Sequence, residues 1–288
     1  MKPFSNKNLM PILAAGSLFF IISACEEVGP AINFTETTYT TYIETPETPQ
    51  DKVVLIEDFT GAACPNCPDG HIAVADVIAN YPNKIIAIAE YNFPSDPLYI
   101  EQNMVTSESL DLNGYLGPVS AWPAIFIDRK DFGADGDLEE LPANVAASAA
   151  EQVTLTAPVN LYIENTFDNV SRTLTVSVKV KYTSTVILPN NLSIVLTESN
   201  IIAAQIDDNA GGEVEDYVHN HVLRKTLTFF SGDALPEENV AGRVYEFEYT
   251  YALPANWNAD NMYAIAFVHN FEADNKEILQ SAEREIVD

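Results

Sequence analysis

The distribution of apolar and polar positions divides the chain into two regimes. Between residues 51 and 152, short apolar runs alternate with stretches at helical spacing. Val53, Val54, Leu55 and Ile56 form a run too short for a helix and rich in β-branched residues, which predicts a buried strand. Ile72, Val74, Ala75, Ile78 and Ala79 then recur at helical spacing. Residues 84–91 (KIIAIAEY) predict a second strand. Residues 98–116 are partly helical and end at Gly114 and Gly117-Pro118. Residues 124–127 predict a third strand, and the alanine-rich residues 138–151 a closing helix. This alternation describes an α/β unit of ordinary domain size.

From Pro158 onward the pattern is that of strands: NLYIEN, TLTVSVKVKY, LSIVLTES, VLRKTLTFF, RVYEFEYTY and MYAIAFVHN. Leu174, Val176, Val178 and Val180 alternate cleanly with polar neighbours. Val244, Glu246 and Glu248 alternate with Tyr245, Phe247 and Tyr249. Strands at this spacing predict an antiparallel sandwich of immunoglobulin-like architecture. Residues 205–217, with DDNAGGEVEDY, predict a long acidic loop.

The amino terminus has a different character. Lys2 and Lys7 precede a short apolar run over 12–22, which ends in Ile22-Ser23-Ala24-Cys25. This predicts a secretory signal, too short to span a bilayer. A cysteine directly after small residues resembles the lipobox of bacterial lipoproteins, which implies that Cys25 is the first mature residue and carries lipid. Two or more acyl chains anchor a protein stably. Residues 25–50 follow as a Thr/Glu/Pro-rich tether. Their composition favours a flexible stalk, although the alternation in TTYTTYIE also allows an edge strand. Glu26-Glu27 after the cysteine resembles signals that send some lipoproteins to the cell surface, and the leaflet stays open.

The net charge is −28, and removing residues 1–24 takes away Lys2 and Lys7 but no acid, leaving about −30. That excludes a nucleic-acid partner. No phosphate loop, dinucleotide fingerprint or nucleophile motif is present.

The chemistry lies in Cys64-Pro65-Asn66-Cys67. A strand that delivers a C-x-x-C to a helix start places thiols where the helix dipole and its unpaired N–H groups favour thiolate. Pro65 suits an early helical position. The expectation is that Cys64 is the exposed, attacking thiol and Cys67 the resolving one. There is no second C-x-x-C, so a four-cysteine zinc site within the chain is excluded. A bond across so short a loop gains little chain entropy, which favours redox chemistry over a staple.

IEDFTGAACPNC resembles the strand, loop and active site of thioredoxin-like proteins. The resemblance implies that Asp58 is the buried acid that helps move the resolving thiol's proton. The stretch AWPAIFID resembles the cis-proline loop and following strand of that fold, with Pro123 as the cis-proline. Two positions depart from the pattern: Ala63 replaces the usual aromatic, and Trp122 stands where relatives often have Thr, Val or Ile. Across the mature chain, the lipobox, the C-P-N-C segment with His71, the Trp-Pro loop and YVHNHVLR resemble the outer membrane protein 28 family of Bacteroidetes lipoproteins. That likeness implies outer-membrane attachment.

The expected organisation is a signal peptide (1–24), a tether (25–50), an α/β thioredoxin-like domain (51–152) and an all-β immunoglobulin-like sandwich domain (153–288). Three functions follow. The first is an outer-membrane-anchored thiol–disulfide oxidoreductase acting on thiols or disulfides of exported proteins. The second is a surface binding or adhesion lipoprotein that works through the sandwich. The third is a metallochaperone using Cys64, Cys67 and His71. No cofactor or bound metal is expected. His71 is read as a packing residue, and His219 and His221 as strand neighbours on one face. The acids Asp207, Asp208, Glu213, Glu215 and Asp216 are read as a solvated loop. A homodimer stays open.

Overall fold

In the computed structural model the described residues are 38–96, 104–134 and 136–287. The signal peptide, Cys25 and residues 26–37 of the expected tether lie outside them. The strands are β1 (Thr38–Ile43), β2 (Val54–Thr60), β3 (Ile85–Tyr91), β4 (Ala124–Ile127), β5 (Val159–Asp168), β6 (Thr173–Tyr182), β7 (Asn190–Glu198), β8 (Ile201–Asp207), β9 (Gly212–His219), β10 (Val222–Thr226), β11 (Asp233–Leu235), β12 (Arg243–Ala252), β13 (Met262–Asn270) and β14 (Ile278–Glu285). The described residues also form the helices α1 (Cys67–Asn80), α2 (Ser107–Leu116) and α3 (Val145–Gln152). None of these helices is long and apolar enough to cross a membrane. The molecule is therefore β-rich with few helices.

β2 and β3 run parallel, with α1 as the crossover between them, and β4 returns antiparallel on the far side of β2. All seven residues of β2 are buried, because both faces of the strand are covered. Val54 and Ile56 pack towards α1 and α3 with Ile125, Ile127, Val74 and Val145. Leu55 faces the opposite way, among Val195, Ile265, Phe267 and Ile278. Those last four residues come from the carboxy-terminal half. The sheet itself continues across: β10 pairs with β3 in parallel, and the Ala89 N–H donates to the His221 carbonyl at 2.7 Å. One sheet thus runs in the order β14-β13-β7-β10-β3-β2-β4, with β11 beside β7. Residues 51–152 and 153–288 share it.

The second sheet has the order β1-β12-β6-β5 and is antiparallel throughout. Its inner residues Leu174, Val176, Val178, Val180, Tyr245 and Phe247 meet Leu192, Ile194, Leu196, Ala264 and Ala266 of β7 and β13. Residues 38–43 therefore form an edge strand, the alternative that the TTYTTYIE alternation allowed. Two further differences from the sequence reading have local causes. Residues 205–217 are not a loop: they belong to the β8–β9 hairpin, which closes through left-handed Gly211 and Gly212. The third helix starts at Val145 rather than near 138, because Pro142 disfavours helical backbone at Leu141 before it.

Charge is buried inside this framework. The Arg129 guanidinium donates from Nε to Glu57 Oε2 at 2.8 Å and from Nη2 to Oε1 at 2.6 Å, with both residues buried. The same guanidinium lies over the Phe267 ring, 5.1 Å from its centroid. Glu90, also buried, has no hydrogen-bond partner among the described residues. Burial and then the Glu57 charge push its pKa well up, so Glu90 is neutral. Lys52 reaches Asp128 at 3.1 Å and donates to the Ile278 carbonyl at 2.6 Å, tying the segment before β2 to the turn after β4 and to β14.

Arg129→Met should leave the Glu57 carboxylate buried without a counter-charge and cost on the order of 3–5 kcal/mol. A Glu57→Leu/Arg129→Met double variant should recover most of that loss. Urea unfolding followed by tyrosine fluorescence and circular dichroism measures both.

Candidate functional site

Alternation along β2 decides which of its polar residues meet α1. Asp58 and Thr60 share the face of Val54 and Ile56, whereas Glu57 faces the Arg129 side. After Thr60 the chain turns through Gly61, where a Cβ would lie 2.2 Å from Phe93 Cβ and 2.7 Å from the Asp96 carboxylate. Only glycine lets these segments approach so closely. The Ala63 N–H donates to Asp96 Oδ1 at 2.9 Å, and burial raises the Asp96 pKa to about 6.

Cys64 and Cys67 are joined by a disulfide. α1 begins at Cys67, so Pro65 lies in the preceding turn and Pro68 takes the early helical position. The helix therefore starts three residues later than the cysteine expected to lead it. The Trp122–Pro123 peptide bond is cis. Pro123 packs against α1 at Gly70, where a Cβ would lie 2.9 Å from Pro123 Cβ. Trp122 donates from Nε1 to Asn92 at 2.7 Å.

The expected exposure of Cys64 needs correction. Its exposure is 1%, against 0% for Cys67, while Asn66 between them is exposed. The β8–β9 hairpin lies across the 61–65 loop. Gln205 Nε2 donates to the carbonyls of Gly61 and Cys64 at 3.1 Å each. The Ile206 N–H donates to the Ala62 carbonyl at 2.8 Å, and the Asp208 N–H to the Pro65 carbonyl at 3.1 Å.

Behind the disulfide lies a polar cluster. His71 Nε2 is 2.7 Å from Thr60 Oγ1 and 3.9 Å from Asp58 Oδ2, and Nδ1 is 2.8 Å from the Tyr217 hydroxyl on β9. His219 Nε2 donates to the Ala203 carbonyl at 3.3 Å, so Nδ1 accepts from the Tyr91 hydroxyl at 2.6 Å. Burial lowers the pKa of His71 to about 4, with His219 adding to the effect, and lowers that of His219 to about 4. Burial raises Asp58 to about 7. A cavity of about 240 Å³ opens here, lined by Asp58, His71, Tyr91, Tyr217, His219 and His221 among others. Among the described residues no group of three or more His, Cys, Asp or Glu side chains is placed to hold a metal.

The structure brings Asp58, Cys64, Cys67 and His71 into one region, with Pro123 against the same helix. It takes His219 and His221 off a common strand, although both line the cavity: β9 ends at His219, and His221 takes a left-handed conformation with φ 58°. The two therefore do not share a strand face. Thr60, Tyr91, Gln205 and Tyr217 belong to the site and were missed in the sequence. Tyr217 sits in the YVHNHVLR segment, which was a signal. Gln205 carries no sequence signal of its own.

Comparison with solved structures finds HBP35 of Porphyromonas gingivalis with a TM-score of 0.67 at 20% identity, covering 83% of this chain and 77% of that one. This shows a shared fold. Protein AGR_C_4864 from Agrobacterium tumefaciens aligns with a TM-score of 0.49 at 11% identity, covering 81% of this chain and 95% of that one. No curated protein sequence matches. The family model described as outer membrane protein Omp28 matches residues 116–286, more than half of the chain, and with it the cis-proline loop and the strands that carry the hairpin. The chain belongs to the outer membrane protein Omp28 family, and the outer membrane is its location.

Proposed function

We propose that the protein is a lipid-anchored thiol–disulfide oxidoreductase acting on exported proteins through Cys64 and Cys67. Residues 51–152 then form a thioredoxin-like unit, and residues 153–288 an immunoglobulin-like sandwich joined to it. The observation that carries this reading is the Cys64–Cys67 disulfide at the junction of a buried strand and a helix, with cis Pro123 against that helix. The 20% identity to HBP35 supports the fold and leaves the chemistry to these residues.

The pair is oxidised, so the reaction is written from the disulfide. A client thiolate attacks Cys64 Sγ, the bond to Cys67 breaks, and its electron pair leaves on Cys67 Sγ. A second client thiolate then attacks the client sulfur of the mixed disulfide and expels Cys64 as thiolate. The client dithiol loses two electrons and two protons, and the two cysteines take them up. Asp58, with its pKa raised to about 7, holds a proton near neutrality that it can give to the Cys67 thiolate and recover in the reverse direction.

One observation favours a second reading, a non-catalytic binding lipoprotein. The outer face of the β1-β12-β6-β5 sheet carries a groove of about 760 Å³ in which exposed Tyr162 stands beside Lys179, Lys181 and Glu246.

Three measurements test these readings. Cys25→Ser should release the protein from the outer-membrane fraction while leaving it folded; retention in that fraction would show another attachment. In the reverse direction the Cys64 thiolate attacks a client disulfide and Cys67 resolves the mixed disulfide, so Cys67→Ser should trap mixed disulfides with exported proteins through Cys64, whereas Cys64→Ser should trap few. Capture by neither, with a midpoint below roughly −300 mV in glutathione titration, would leave a structural bond and the binding reading. The third concerns Asp58. Its folded pKa, raised from 3.8 to about 7, means that the native state holds a proton the unfolded chain has lost, so its contribution to stability falls as pH rises from about 4 to about 7. Asp58→Asn lacks that slope. It should be more stable than the parent at pH 8 by on the order of 2–4 kcal/mol, with the difference closing near pH 4 in urea titrations.

A further inference from the structure

The β8–β9 hairpin is a two-stranded sheet of its own. It rises between β7 and β10 and pairs with neither sheet. Its attachment to the rest of the molecule is mostly polar. At the C-P-N-C loop, Gln205, Ile206 and Asp208 between them donate to four carbonyls of residues 61–65. At the start of α1, Asn209 Nδ2 donates to Asp69 at 2.9 Å. Further along α1, Tyr217 meets His71, and at β3 His219 meets Tyr91. Among the described residues its buried apolar contacts are few: Ile201 and Ala203 pack with Ala62, Tyr91, Met104 and Val222.

That distribution matters for how the hairpin opens. Segments held by hydrogen bonds and little apolar area open locally at a fraction of the cost of global unfolding. The closed state also leaves one group unsatisfied. Gln205 is fully buried; its amide nitrogen is shared among the carbonyls of Gly61, Cys64 and Ile206, while its Oε1 accepts from no donor among the described residues. A buried acceptor without a donor is a cost that opening removes. The disulfide beneath is the one group near the hairpin whose chemistry requires access, since a thiolate must approach the attacked sulfur along the S–S axis.

The geometry points to the β8–β9 hairpin as a built-in cap on the Cys64–Cys67 disulfide, which must lift from the 61–65 loop before a client thiolate reaches Cys64. This rests on the oxidoreductase reading and adds its regulation. A client that presents an extended main chain to the 61–65 carbonyls competes with Ile206 and Asp208 for the same acceptors, so client binding and cap release are one exchange. Exchange at Cys64 is then limited by the open fraction, and a variant that loosens the cap gains rate in proportion.

The test uses the full-length oxidised protein. Dithiothreitol is the probe, and reduction of Cys64–Cys67 is followed by quenched alkylation and mass shift. Gln205→Met keeps the side chain's length and removes its donors; Asn209→Ala cuts the bond to Asp69 at the exposed turn and leaves the interior untouched. Gln205→Met should be reduced about tenfold faster or more, and Asn209→Ala by a smaller factor. The Ile206 and Asp208 amides should exchange hydrogen faster in both. Should Gln205→Met not fold, Asn209→Ala carries the comparison. Faster amide exchange with unchanged reduction rates in the folded variants would overturn the cap. The oxidoreductase reading is judged separately, by capture in Cys67→Ser. Faster reduction in Gln205→Met, with no client trapped by a Gln205→Met/Cys67→Ser double variant, would uphold the cap and sink the enzyme.

Discussion

A carboxylate inside a protein has to be paired, hydrogen-bonded or neutral, and β2 carries two of them in succession within a strand buried on both faces. The two neighbours meet this requirement in opposite ways. Glu57 stays charged against Arg129 in a two-pronged ion pair. Beside Asp58 stands His71, itself held neutral by burial, and burial raises the pKa of Asp58 to about 7. One side of the strand is thereby committed to an ionic weld and the other to a group that gains and loses a proton near neutrality. Glu90, on the adjacent strand, is held neutral by its burial and then by the Glu57 charge, against the opposing pull of Arg129.

The weld has consequences beyond its own pair. Arg129 lies over Phe267 of β13, and Lys52 links Asp128 to the β14 backbone, so the charges around β2 fasten the amino-terminal strands to the carboxy-terminal ones. With the β3–β10 pairing, this makes one sheet of what the residue pattern divides into two units. A rigid β2 then fixes where the 61–67 turn begins. The hairpin above it is held differently, by donors to main-chain carbonyls of the 61–65 loop and by two tyrosine–histidine contacts. Stability is therefore uneven around the disulfide: apolar and ionic below, polar above.

That contrast also explains what could be read from the residues. β6 was legible over its full length because a strand with one face on a core shows its period in the sequence, and β13, buried on both faces, because it reads as a near-continuous apolar run. The β2–α1 start was legible because Gly61 and the cysteines punctuate it. The hairpin was not: β8 reaches an apolar cluster only through Ile201 and Ala203, so the acidic and small residues beyond them show no period and resemble a loop. β14 was missed for a related reason, since ILQSAERE buries polar Gln280 and Ser281, which bond the backbone around residues 51–53. The burial of Cys64 depends on Gln205, 141 positions away, and a partner that distant leaves no trace in local spacing. Arg129 was invisible in the same sense: a single arginine after Asp128 does not announce a buried pair with Glu57.

The sequence set two functions against each other, a redox unit and a binding sandwich, each with its own half of the chain. The connectivity removes the basis for that opposition. The segment that covers the disulfide is inserted between β7, whose inner face belongs to the carboxy-terminal core, and β10, whose edge joins β3. Anything that shifts β7 or β10 moves both stems of the hairpin, and the hairpin's far end rests on Gly61, Ala62, Cys64 and Pro65. Access to the thiols is thus set by residues of the half that carries the exposed tyrosine groove. Coupling between such sites needs an element with two arrangements that both can bias, and the hairpin is the element placed to have them. On the proposed reading the carboxy-terminal half is therefore part of the disulfide site, since it supplies the hairpin residues that bond the 61–65 carbonyls.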